Sequence, residues 1–297
     1  MIDHLTDLAA EARDEYMSRC AENGNKSSDG ISFCSRTEGG FSVSTIDILN
    51  EEGENALGKR RGRYITISFS DITLMSYDDF EKLCMLCASE IRALCEHNAK
   101  NLKSVLLCGL GNERMSPDAL GPASAKNVLV TRHLKEQKRE VFESSGLFDI
   151  CAVFPDVSAH TGLDASDIAK AAAKSTLPDV MIAIDALAAR EPSRLCTTLQ
   201  LCSAGISPGS GVGNAKNAID EKSMGVPVIS IGVPTVINAG TLVRDIIGKE
   251  ADVGEIEELF VCPKDIDEIS VKLSKLIGYS VNRAFHGALS FGEMTMM

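Results

Sequence analysis

The chain has 297 residues, 44% hydrophobic and 24% charged, with 30 Lys and Arg against 42 Asp and Glu. This composition supports a sizeable core and excludes a disordered chain, and a net charge of −12 argues against a surface built to grip nucleic-acid phosphates. No run of about 18 uncharged apolar residues occurs, and "MIDHLTDLAAEARDEY" carries acids where a signal peptide carries bases, so a soluble cytoplasmic protein with no membrane partner is expected.

Residues 1 to 19 read as a helix, and residues 20 to 40, rich in Ser, Gly, Asn and Asp, read as a surface loop. "FSVSTIDIL" and "RYITISF" alternate apolar and polar residues, which predicts an antiparallel strand pair in a hairpin-like subregion over 41 to 70. From residue 78, Phe80, Leu83, Cys84, Cys87, Ile91, Leu94 and Cys95 recur at helical intervals. The thiols of this C-x-x-C stretch therefore belong to a buried stripe rather than to a zinc site.

The strand "SVLLCGLGN" leads through a glycine turn into the helical "SPDALGPASAKNVLV". Then follow a strand near "FDICAVF", a helix about "DASDIAKAAAKS", the strand "DVMIAI", a strand near "TTLQLC", the strand "VPVISIGV" and a C-terminal helix facing inward through Ile266, Ile269, Leu273, Leu276 and Ile277. Alternation of strand and helix predicts an α/β fold with a mostly parallel central sheet flanked by helices, plus the antiparallel pair near the N-terminus. In such sheets functional groups gather beyond the carboxyl ends of the strands. Three loops qualify: residues 109 to 122, 185 to 191 and 204 to 214.

The first loop begins Gly109-x-Gly111, but Arg114 stands where a dinucleotide fingerprint needs its third glycine. The third matches G-x-S-x-G at Gly205, Ser207 and Gly209, yet Pro208 lacks the backbone N–H that a nucleophile elbow uses. Its "PGSGVGN" stretch, with Gly209, Gly211, Gly213 and Asn214, could line a cleft or cradle a phosphate through backbone amides. Asp118, just after Pro117, has the position of a first-turn acid in a helix capped by Ser116. Asp185 closes a buried apolar strand ahead of an alanine-rich helical stretch, and an acid there must be paired, protonated or solvated in a cleft.

Two carboxylates converging at strand ends cannot both ionise cheaply, so one keeps a proton while the other stays basic. Such a pair can activate water and protonate a leaving amine. Two alternatives use the same residues differently: a metal-dependent processing protease with His160 as extra ligand, for which no H-E-x-x-H spacing exists, and a phosphate-ligand binding module built on "PGSGVGN". The basic "GKRRGR" stretch, residues 58 to 63, reads as a solvated tip.

The stretches "TDLAAEA", "ILNEEGENALGKRRGRYITI", "GLGN", "SPDALGP", "HTGLDASDI", "IDALAAR", "GISPGSGVGN", "GVPVISIGVPTVINA" and "VCPKDIDEI", in this order from residue 6 to about 269, resemble the germination protease family of spore-forming bacteria. The resemblance implies a fold like that of the hydrogenase-maturation proteases, of the phosphorylase/hydrolase-like class. It implies a homotetrameric endopeptidase of the forespore and spore core, made as a zymogen. Its implied substrates are small acid-soluble spore proteins, cut after an acid that precedes an apolar residue and alanine; no metal, other cofactor or direct nucleic-acid partner is implied. The family's catalytic aspartates fall on Asp118 and Asp185. Self-cleavage falls at Asp7 and Leu8, making residues 1 to 7 a propeptide ahead of a single peptidase domain over 8 to 297. Glu113 and Arg114 depart from the family's apolar or neutral residues, and His4 stands where family substrates favour an acid.

Overall fold

A computed structural model describes residues 6–23, 29–209, 217–247, 254–287 and 291–295. In chain order the elements are α1 (Ala9–Asn23), β1 (Ile31–Glu38), β2 (Phe41–Ile48), α2 (Glu51–Leu57), β3 (Gly62–Ser68), α3 (Tyr77–Asn98), β4 (Ser104–Gly109), α4 (Leu120–Lys126), α5 (Arg132–Gln137), α6 (Arg139–Ser145) and β5 (Asp149–Val153). They continue with α7 (Ser158–Thr161), α8 (Ala165–Thr176), β6 (Val180–Ala189), β7 (Thr198–Cys202), α9 (Glu221–Met224), β8 (Val228–Asn238), α10 (Ala239–Ile247), β9 (Phe260–Val261), α11 (Ile266–Phe285) and α12 (Phe291–Thr295).

The described strands form one sheet in the order β1-β2-β3-β7-β8-β6-β4-β5, with β9 on β8. The α/β class agrees with the sequence, but the sheet is mixed rather than mostly parallel. Only β5-β4-β6-β8 run parallel; β7, β3, β2 and β1 add antiparallel strands on one side, and β9 is also antiparallel. The apolar alternation of β7 predicts a strand but does not encode its direction, because a period of two specifies the face and not the neighbour.

Helices cover both faces of the central strands. On β6, Ile182 and Ile184 face a core shared with Leu83, Cys84, Cys87 and Ile91 of α3 and Leu273, Leu276 and Ile277 of α11. Met181 and Ala183 face the opposite cluster with Ala165, Ala169 and Ala173 of α8. Burial on both sides makes the strand read as a continuous apolar run. The α3 stripe forms as its periodicity predicts, and burial pushes the Cys87 thiol up to about 12.

Three local expectations need correction. Within the segment read as a surface loop, residues 31 to 38 form β1, an edge strand so exposed on both faces that its residues show no apolar alternation. The strands of the 41 to 70 subregion do pair antiparallel, but α2 joins them instead of a tight turn: the Asn50 side chain accepts from Gly53 N–H, and Gly58 ends the helix at φ 62°. Finally, the alanine-rich run after Asp185 is not helical. It continues β6 to Ala189, because pairing with β8 overrides the helical preference of alanine. Among the described residues no helix is long and apolar enough to cross a membrane.

Candidate active site

At the end of β4 the chain leaves the sheet, with Leu110 N–H donating to the Ile184 carbonyl at 2.9 Å. It then turns sharply at Gly111, φ 110°, where a Cβ would stand 2.0 Å from the Asp118 carbonyl oxygen. Only glycine permits that approach. Asn112 N–H donates to Asp118 Oδ2 at 2.8 Å, and Asp118 ends a 3-10 turn over Ser116–Asp118 with Met115, not Ser116, at its cap position.

Several contacts fix this turn in place. Thr235 Oγ1 donates to the Pro117 carbonyl at 2.6 Å, and Ser270 Oγ of α11 donates to the Ser116 carbonyl at 3.1 Å. Thr235 is the bulged residue of β8, passed over where the β6 pairing jumps from Leu187–Pro234 to Ala188–Val236. A bulge re-aims a side chain in just this way. Gly121, at the start of α4, has the carbonyl oxygens of Leu110 and Ile184 at 2.1 and 2.3 Å from where a Cβ would stand, so α4 begins pressed against the ends of both strands.

Asp185 lies inside β6 rather than at its end, one residue beyond the last rung shared with β4, which is Gly109–Ile184. It is only 6% exposed, and its Oδ1 accepts Ala186 N–H at 2.9 Å. Burial, with the Asp185 charge adding to it, pushes the neighbouring Cys108 thiol up to about 12. Asp185 stands opposite Gly232 of β8, which stands opposite Gln200 of β7. The three share one rung, with the outer backbones about 10 Å apart at two strand spacings.

The topology thus brings Asp118 and Asp185 to the carboxyl end of β4, one on the loop that follows it and the other on β6, one residue past the last rung the two strands share. It brings the N-terminal pair, Asp7 and Leu8, to the same region. Asp7 N–H donates to the Ala188 carbonyl, and Ala188 N–H donates to Asp7 Oδ2, each at 2.9 Å. Gln200 clamps the same segment, accepting Ala9 N–H at 2.8 Å and donating to the Asp7 carbonyl at 3.1 Å. Leu8 is wholly buried against Leu187, Ala189 and Ile237.

Glu11 anchors the segment from α1. Its carboxylate accepts the N–H groups of Arg190 and Glu191 and the Thr6 hydroxyl, and burial raises its pKa despite those donors. Lys59 Nζ donates to the Thr6 carbonyl at 2.7 Å; burial lowers its pKa, while the charges of Asp7, Cys202 and Glu11 oppose that shift. A cavity of about 180 Å³ lies here, lined among others by Asp7, Lys59, Arg60, Gln200 and Gly232.

Of the glycine loop, Gly209 is described and takes a left-handed φ of 76°; Gly211, Gly213 and Asn214 lie outside the described residues. Ser207 accepts from Arg60, which also pairs with Asp220 at 2.8 Å, so the G-x-S-x-G serine is held by a guanidinium. The solvated-tip reading of the basic stretch holds only in part: Arg61 and Arg63 pair with Glu54 and Asp47 near the surface, but the stretch links α2 to β3, Gly62 and Arg63 belong to β3, and Lys59 and Arg60 turn to the cavity. His160 pairs with Asp156 at 3.1 Å, and among the described residues no group of three or more His, Cys, Asp or Glu could hold a metal ion.

Sequence reasoning missed Gln200, Lys59, Glu11 and Thr235. A signal existed for two of them: a lone glutamine in the apolar "TTLQLC", and an acid in the alanine-rich "DLAAEA". Lys59 and Thr235 acquire their positions only from the strand order.

An α/β chain with two aspartates where β4 ends against β6, and its own acid-leucine-alanine segment held on the same strand β6, has the makings of a peptide-bond hydrolase. The germination protease family model, of peptidase family A25, matches residues 9–249. The chain is 34% identical to the germination protease of Clostridium acetobutylicum over 97% of each chain, and 35% identical to that of Clostridium perfringens over 96% of this chain and 95% of the relative. It is 41% identical to the germination protease of Bacillus subtilis over 82% of this chain and 65% of the relative. The chain belongs to the germination protease family.

Proposed function

We propose that this germination protease is an endopeptidase of the aspartate-dyad type, with Asp118 and Asp185 sharing one proton. The observation that supports this reading is that both acids lie at the carboxyl end of β4, Asp118 on the following loop and Asp185 one residue past the last β4–β6 rung and only 6% exposed. The ionised carboxylate takes a proton from water as the water oxygen adds to the scissile carbonyl carbon. The protonated partner then gives its proton to the leaving nitrogen as the C–N bond breaks, leaving a new carboxyl end and a new amine.

The substrates in this reading are small acid-soluble spore proteins, cut after an acid before an apolar residue and alanine. The chain's own Asp7-Leu8-Ala9 has that order, which supports self-cleavage of a zymogen at Asp7 and Leu8, with residues 1 to 7 as the propeptide and 8 to 297 as one peptidase domain. A homotetramer in the spore core, kinship of fold with hydrogenase-maturation proteases, and a cleft-lining role for Gly209, Gly211, Gly213 and Asn214 belong to the same reading. The test is incubation of the purified protein with a small acid-soluble spore protein and mapping of the cut sites by mass spectrometry. Cuts after acids in wild type, absent from both Asp118→Asn and Asp185→Asn, support it; full activity in both variants overturns the dyad.

A further inference from the structure

We infer that the strip of sheet between β6 and β7 is the track on which this protease holds a peptide, with Gln200 positioning the peptide backbone and Lys59 selecting an acidic side chain. This rests on the proposed dyad. The argument starts from how the segment Thr6–Ala10 is held. Its backbone is paired from two sides, by Ala188 at Asp7 and by both ends of the Gln200 amide at Asp7 and Ala9. These contacts read main chain from Asp7 to Ala9, where the segment enters α1, so any peptide that adopts the same backbone path satisfies them.

Side-chain selection comes from three features. The leucine sinks into a closed apolar site formed by Leu187, Ala189 and Ile237. Ala9, at 0% exposure, leaves no room for a larger residue. The acid faces a polar cavity in which Ala188 N–H meets its carboxylate and two cations form part of the wall. One of these, Arg60, is already engaged by Asp220 and Ser207. Lys59, which donates to the Thr6 carbonyl, lines the same cavity and supplies a positive charge beside the acid. Gln200 shares a rung with Asp185 across Gly232, so a backbone clamped by Gln200 lies within two strands of a dyad carboxylate. The chain's own N-terminal segment occupies the track, and a substrate peptide must take its place.

The test uses the full-length protein with a twelve-residue peptide spanning residues 3 to 14 of this chain and the same peptide carrying Asp7→Asn. In wild type the acidic peptide has the larger kcat/KM. In Lys59→Met the ratio of acidic to neutral kcat/KM falls at least tenfold, and in Lys59→Glu it inverts. Gln200→Ala raises KM for both peptides about tenfold with a smaller change in kcat. A ratio unchanged in both Lys59 variants, in an enzyme that Asp185→Asn inactivates, overturns the inference while leaving the dyad standing. If wild type cleaves neither peptide, the dyad is judged by the spore-protein assay of the Asp118→Asn and Asp185→Asn variants, and amide exchange at Ala9 decides the track on its own. Acceleration of that exchange by the acidic peptide, greater than by the neutral one, supports the track; no acceleration at millimolar peptide overturns it.

Discussion

The Asp7 amide and the Ala188 carbonyl, and the Ala188 amide and the Asp7 carboxylate, form two reciprocal hydrogen bonds of 2.9 Å that clip the start of the chain to the far half of β6. Beside them Leu8 is buried completely. Leu8→Ala removes the apolar anchor, which costs about 2–5 kcal/mol where a buried leucine cannot be replaced by repacking. We expect amide exchange at Ala9 and Ala10 to accelerate and residues 6 to 10 to become sensitive to added proteases, while the sheet core keeps its protection. Unchanged exchange in this segment would contradict the docking.

If Asp118 and Asp185 act as a unit, their losses are not additive. Each Asn substitution lowers kcat by roughly 10²–10⁴, and the double variant loses little more than either single one. Single-turnover cleavage of a small acid-soluble spore protein measures this. Multiplicative losses would mean that the two acids serve separate steps.

Gly121→Ala places a methyl group against the carbonyl oxygens of Leu110 and Ile184, which no side-chain rotation can relieve. The expected cost is about 1–3 kcal/mol, with activity lost because the turn bearing Asp118 must move off the strand ends. Gly287→Ala, where nothing lies within 4 Å, serves as the neutral control. Equal denaturant midpoints for the two variants would refute the close approach.

His286 is fully buried at the end of α11, accepting Phe148 N–H at Nδ1 and placed with Nε2 2.8 Å from the Leu129 carbonyl, a pattern that assigns the neutral ring with its proton on Nε2. Burial holds its pKa below the ordinary value of 6.5. The native state therefore takes up this proton less readily than the unfolded chain, and the stabilisation is complete above about pH 6.5 and lost as the pH falls below it. Urea titrations from pH 8 to 5 should show this slope in wild type and a flatter one in His286→Gln. The variant is also less stable at pH 8 by about 1–3 kcal/mol, since a buried polar group loses its fitted partner. Parallel slopes would remove His286 from the acid response.

Much of this protein was determined by its sequence alone. Helical spacing specified the α3 stripe; the apolar runs of β4 and β6 announced strands; the glycines after β4 marked a turn ahead of Asp118; and Asp185 stood out because an acid closing an apolar run demands a reason. Those signals are local, since periodicity and turn chemistry depend on a few neighbouring residues. Only the tertiary structure decided that β7 runs antiparallel beside β8, that the alanines after Asp185 stay in a strand, that residues 31 to 38 form an edge strand, and that Asp7, Lys59 and Gln200 meet around one cavity. Strand order and long-range docking are chosen by the total surface that all elements bury together, a quantity no short window of sequence contains.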